Sequence, residues 1–132
     1  MILAYLLGEP PIGDMVRSEI LRKGRGGVFL AGPAVAELFY ILCRRKGREF
    51  AREAVEALLW SGYVRVGSST ELDVEAGRYK CERSVSLADC YVLAMAKLLG
   101  AAAVFARREH DLAREMSLRK FDVGVLFLED IP

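Results

Sequence analysis

Two acidic residues sit where acids are costly. Glu37 lies inside Pro33-Ala34-Val35-Ala36-Glu37-Leu38-Phe39-Tyr40-Ile41-Leu42, which reads as a helix apolar on every side. Asp89 heads a second apolar helical run, Leu87-Ala88-Asp89-Cys90-Tyr91-Val92-Leu93-Ala94-Met95-Ala96. A carboxylate drawn against a core without a partner is strongly penalised and tends to neutralise. Compensation must come from an arginine, a shared proton or a metal ion. Two lone acids on two greasy helices point to one shared site.

Each acid also has an ordinary reading. Glu37 could pair with Arg44, Arg45 or another arginine. Asp89 follows Ser86 in the Ser-x-x-Asp pattern of a helix N-terminus, a cap worth ~1 kcal/mol. Thr70-Glu71-Leu72-Asp73 has the same pattern, so only the apolar run after Asp89 sets it apart. Further on, Glu109 and Asp111 flank His110, and either acid would favour a helix N-terminus through the dipole alone. His110 reads as a surface residue rather than a base. It is the only histidine, and Cys43, Cys81 and Cys90 form no Cys-x-x-Cys pair, so no softer site such as structural zinc is indicated. Scattered thiols fit reduced cysteines in a cytoplasmic protein.

The elements that must carry these residues form a regular alternation. Apolar Met1–Glu9 reads as a helix ended by Pro10-Pro11, and Ile12–Lys23 as another stopped by Gly24-Arg25-Gly26-Gly27. Val28–Ala31 is a buried-strand candidate. Gly32-Pro33 opens the Glu37 helix, with proline at its favoured first position, and Gly47 breaks it. Arg48–Trp60 is helical with Phe50, Ala54, Val55, Leu58 and Leu59 on one face, and Tyr63–Val66 is a strand. Helices follow from Thr70 to about Arg83 and from Ser86 to Gly100, then a strand over Ala101–Ala106, a helix over Glu109–Leu118 and a strand over Val123–Leu128. Strands alternating with helices imply an α/β fold, a parallel β-sheet flanked by helices. The chain opens on what reads as the helix after a first central strand.

Composition fits one domain over residues 1–132, with 53% hydrophobic residues and room for a core. No run of about eighteen uncharged apolar residues implies a membrane span, and the apolar start lacks the basic head and cleavage site of a secretory signal. With a net charge of +1, nucleic-acid contact would need local patches. There is no Asn and no Gln, and arginine outnumbers lysine, as in a thermophile or a GC-rich genome.

With these elements in place the sequence resembles the PIN domain family, and within it the small VapC-type toxin ribonucleases. The resemblance rests on Ile2-Leu3-Ala4-Tyr5-Leu6-Leu7-Gly8-Glu9-Pro10, on Ala36-Glu37-Leu38 and on Leu87-Ala88-Asp89 through Ala94-Met95-Ala96, in that order, and covers nearly the whole chain. It implies a PIN-like α/β/α sheet in which four acidic positions gather at the carboxyl ends of the strands, bind Mg²⁺ or Mn²⁺ and cut single-stranded RNA. Glu37 matches the second position and Asp89 the third. Glu109 matches the fourth, with Asp111 as the alternative. Arg107 stands where the family has a small hydroxyl residue. The first aspartate ends a strand a few residues before the segment matching Ile2–Tyr5, so the expectation is a sequence starting downstream of it. Ion binding and cleavage by these residues should then be weaker than with that strand restored.

A divalent ion suits such a reaction because it lowers the pKa of bound water and relieves charge on the phosphate. Mg²⁺ takes oxygen ligands and keeps several waters, so a sparse set of carboxylates is enough. The resemblance further implies a homodimer and an antitoxin protein as partner. Arg44, Arg45, Lys46, Arg48 and Arg52, and separately Arg107 and Arg108, read as solvated faces or as contacts to RNA phosphates. Phe50 and Trp60 read as core or dimer contacts. The rival readings are a PIN-fold protein that binds RNA or a partner without cutting, and an ordinary α/β interaction domain with salt-bridged acids.

Overall fold

The computed structural model describes residues 28–130. The two helices expected over 1–9 and 12–23 lie outside the described residues, as does any strand before them. The chain divides into two compact units, 1–67 and 68–132.

In the first unit, β1 (Val28–Ala31) runs straight into α1 (Gly32–Lys46), with Pro33 in the first turn. Gly47 ends α1 and starts α2 (Arg48–Trp60). It adopts φ 94°, where a side chain would be strained, while its N–H donates to the Cys43 carbonyl at 2.9 Å. β2 (Val64–Gly67) pairs parallel with β1, from Val28 opposite Val64 to Ala31 opposite Gly67. Leu30, Ala31, Leu38, Leu42, Ala51, Val55, Leu58 and Val64 form the buried interior.

The buried stripe of α2 is Ala51, Val55 and Leu58: of the face read from the sequence, Val55 and Leu58 are buried and Ala54 half-buried, while Phe50 and Leu59 are exposed. At ~100° per residue, Trp60 falls on the far side of that stripe. It is 87% exposed and Phe50 is also exposed, so neither is a core residue. Another exposed side of α2 carries Arg52 between Glu49 and Glu56, at 3.1 and 3.2 Å.

In the second unit, Ser69 caps α3 (Thr70–Glu82) by accepting from the Leu72 N–H at 3.1 Å. α4 (Leu87–Leu99) is closed by Gly100 in the left-handed region, φ 63°. β3 (Ala103–Phe105) is followed by α5 (His110–Leu118), then β4 (Val125–Phe127) and a 3-10 turn, Leu128–Asp130. β3 and β4 pair parallel, Ala103 opposite Val125 and Phe105 opposite Phe127. β3 starts two residues later than its apolar run because the Ala101 N–H is spent on the Ala96 carbonyl at 3.0 Å, in the turn that ends α4.

Tyr79, Val85, Cys90, Leu93, Ala94, Phe105, Leu112, Phe121, Phe127 and Leu128 dominate the interior of this unit. Arg83 is buried with them. Its guanidinium donates to the Glu115 carboxylate at 2.9 Å, to the Glu115 carbonyl at 3.0 Å and to the Arg119 carbonyl, and lies 3.9 Å from the Phe121 ring centre. One side chain thereby joins the end of α3 to the end of α5. Parallel strands alternating with helices are the α/β architecture the sequence implied. Among the described residues no helix is long and apolar enough to cross a membrane.

Candidate metal centre

Asp89 occupies the first turn of α4. Ser86 accepts from the Asp89 backbone N–H at 3.1 Å, so the helix start is capped and the carboxylate direction follows from the helix itself. The side chain is half-buried. Burial pushes the Asp89 carboxyl above its ordinary range, the Ser86 hydroxyl bond pulls it back, and the charge of Glu109 pushes it up again. No ion-pair partner for Asp89 is found among the described residues.

Glu109 is the N-cap residue of α5 and is exposed. Its carboxylate makes no capping hydrogen bond, although its backbone is tied, the N–H to Arg107 O at 3.0 Å and the carbonyl from Ala113 N at 2.9 Å. The peptide is therefore held while the charge stays free. This residue follows the carboxyl end of β3, the end of a parallel strand where α/β folds place ligands. The structure thus brings Asp89 and Glu109 into electrostatic reach of each other. Asp111 lies instead in the first turn of α5, largely exposed, 3.5 Å from His110 Nδ1. Of the two candidates for the fourth acidic position, Glu109 is the one that couples to Asp89.

Glu37 belongs to the first unit. It is half-buried in the second turn of α1, just past the carboxyl end of β1 and next to buried Leu38. It makes no hydrogen bond or ion pair with any described residue, so the salt-bridged reading through Arg44 has no bond behind it. Arg44 lies over the Tyr40 ring at 5.1 Å.

The donor set is all oxygen. Asp89 and Glu109 are carboxylates within electrostatic reach of each other, Asp89 has no ion-pair partner among the described residues, and oxygen donors of this kind suit a hard divalent cation. Among the described residues no group of three or more His, Cys, Asp or Glu side chains gathers as a ready metal site.

Of the two arginines beside this site, Arg107 is exposed and unpaired among the described residues. Arg108 is not available to a phosphate, because its guanidinium engages both oxygens of Asp130 and lies 4.5 Å from the Phe127 ring centre. Arg52 is likewise committed to Glu49 and Glu56.

The sequence reading missed Asp122. This acid accepts from the Tyr79 hydroxyl, from Lys97 at 3.0 Å and from Arg78 at 3.5 Å, and these groups hold its carboxyl below the ordinary range. Its partners are 25 to 44 residues away, so no local pattern marks it.

A family model, the PIN domain, matches residues 1–114 of the chain. Among solved structures, the chain is similar to Mycobacterium tuberculosis VapC20, a Sarcin-Ricin loop cleaving toxin, at 22% identity over 75% of this chain and 79% of that one, with a TM-score of 0.58. It is similar also to VapBC-1 from nontypeable Haemophilus influenzae, at 16% identity over 97% of this chain and 93% of that one, with a TM-score of 0.66. At these identities the likeness is one of fold. No curated protein sequence matches significantly.

Proposed function

The chain belongs to the PIN domain family, and from that premise we propose that it is a metal-dependent endoribonuclease acting on single-stranded RNA, the toxin of a toxin–antitoxin pair. The family match runs through both compact units, so we take residues 1–132 as one domain. The observation that carries the reading is the electrostatic reach between Asp89, half-buried at the start of α4, and Glu109, just past β3, with no ion-pair partner for Asp89 among the described residues. In this reading Asp89 and Glu109, joined by Glu37, hold Mg²⁺ or Mn²⁺. The ion would supply a water of lowered pKa and charge relief at the phosphate. The residues themselves would set where such an ion is held: capped α4 orients Asp89, and the fixed peptide at the start of α5 presents Glu109. Arg107, exposed beside Glu109, would meet an RNA phosphate.

VapC20 is a Sarcin-Ricin loop cleaving toxin, and RNA cleavage comes to this chain as part of the proposal. An antitoxin protein and a second copy of the chain are the partners proposed, in the cytoplasm. Support for association comes from Leu59, Trp60, Tyr63 and Val66, a run of exposed apolar side chains over the end of α2 and the start of β2.

The test is thermal unfolding with and without Mn²⁺, alongside cleavage of single-stranded RNA. An ion that binds only the folded state adds about 2.7 kcal/mol at 100 times its Kd, a Tm rise on the order of 10 °C for a chain of this size. Glu37→Gln should remove most of that rise and the cleavage, with the ion-free Tm nearly unchanged. A parent with no response to Mn²⁺ or Mg²⁺ and no cleavage would sink the enzyme. It would favour a PIN-fold module that binds RNA or a partner without cutting. That second reading has its own supports: Arg107 in place of a small hydroxyl residue, and the lack of a three-carboxylate cluster among the described residues.

A further inference from the structure

Residues 106–109 join β3 to α5 and carry Glu109 at their end. They are held by the turn that follows β4. The Glu129 N–H donates to the Ala106 carbonyl at 3.2 Å, and the Arg108 N–H donates to Glu129 Oε1 at 2.8 Å. The Arg108 guanidinium then forks onto both oxygens of Asp130, at 2.5 Å each, with its face over Phe127. A planar fork on a carboxylate fixes orientation as well as distance. Four hydrogen bonds thus join Glu129 and Asp130 to Ala106 and Arg108, in the segment that delivers Glu109.

The other end of α5 is held independently, by Arg83 on Glu115 and on the carbonyls of Glu115 and Arg119. Glu109 makes no side-chain bond of its own at the helix start. Its place beside Asp89 therefore depends on the peptide that carries it, and that peptide is fixed from the C-terminal turn. We propose that Leu128–Asp130 is a latch, and that Arg108 and Asp130 are positioning residues which keep Glu109 in register with Asp89 for the ion. The inference rests on the reading of Asp89 and Glu109 as metal ligands. It assigns the exposed Arg108–Asp130 pair a task in ion affinity, since exposed pairs of this kind contribute little to global stability.

The experiment titrates Mn²⁺ against the intact 132-residue chain and follows the rise in Tm. Arg108→Ala and Asp130→Asn should each leave the ion-free Tm within a few degrees of the parent's. Each should raise the Mn²⁺ concentration for half-maximal stabilisation by about tenfold or more, as loss of an outer partner of a metal ligand does. The double variant Arg108→Asp with Asp130→Arg should recover much of that loss. Unchanged Mn²⁺ midpoints in both single variants overturn the latch. So does weakened RNA binding by Arg108→Ala alone, with its Mn²⁺ midpoint intact, because Arg108 is then a phosphate contact. If Asp89→Asn abolishes the Mn²⁺ response while both latch variants keep it, the metal reading stands and only the latch falls. If the parent itself does not respond, both fall.

Discussion

Asp89 and Asp122 stand at opposite ends of the same helix and have been treated in opposite ways. Asp89 lies in the first turn of α4, half-buried, within electrostatic reach of Glu109 and without an ion-pair partner among the described residues. Asp122 meets the last turn of α4 through Lys97 and is further engaged by Tyr79 and Arg78. The carboxyl of the first is pushed up by burial and by Glu109, while that of the second is pulled down, first by the Tyr79 hydroxyl. Burial of a carboxylate by itself therefore says little about function. What distinguishes a structural acid from an available one is whether the fold supplies its counter-charge. Asp122 ties the segment before β4 to α3 and α4. No described residue supplies a cation to Asp89.

The widest separation between the two should appear in ion response and cleavage. Asp89→Asn keeps the volume and loses the charge. It is expected to lower RNA cleavage by at least about 100-fold and to abolish stabilisation by Mn²⁺, whereas Asp122→Asn should keep both within about twofold. Equal losses in the two variants, measured by cleavage rate and Mn²⁺-dependent Tm, would break the comparison.

A compensated charge deeper in the same unit should matter more for folding than for the ion. Arg83→Ala leaves the Glu115 carboxylate and two carbonyls without their donor, and should cost roughly 3 kcal/mol in denaturant unfolding. For Asp122→Asn the cost should be at most about 1 kcal/mol, because 44% of that side chain remains in water.

The smallest effect is also the sharpest in sign. The raised carboxyl of Asp89 contributes stability below its unfolded-state pKa, near ~3.9, and that contribution is lost as pH rises through its folded value. The lowered carboxyl of Asp122 contributes above ~3.9, and its contribution is lost as pH falls through its folded value. Without added metal, Asp89→Asn should thus gain on the parent as pH is raised from about 4 to 7, and Asp122→Asn should fall behind it as pH is raised from about 2 to 5. Urea midpoints measured across both ranges check both signs. Shifts of the same sign in both variants would mean that Asp89 is compensated after all.

Much of the frame was legible because its signals are local. Proline after Gly32 and the break at Gly47 mark the two ends of α1, and Gly100 closes α4. The order of strands and helices and the family resemblance follow from the same short-range patterns. On α2 the sequence rightly put Val55 and Leu58 inside but added Phe50 and Leu59 and missed Ala51, because hydrophobicity alone does not fix the edges of a buried face. Ser86 was correctly read as a cap, its hydroxyl accepting from the Asp89 N–H.

By itself, then, the sequence determined that Glu37 and Asp89 are carboxylates on apolar helices and that the fold is a parallel α/β one, and both depend on residue type and on spacings of a few residues. The family resemblance added Glu109, with Asp111 as the alternative, for a further acidic position. Only the tertiary structure put Glu109 within electrostatic reach of Asp89 and Asp111 beside His110. Only it moved Arg108 from an RNA-facing charge to an intramolecular fork on Asp130, a partner 22 residues away. The reason is common to these cases. A charge has a fixed identity in the chain, but its meaning depends on which other charges folding brings near it, and those come from sequence-distant segments that no local pattern joins.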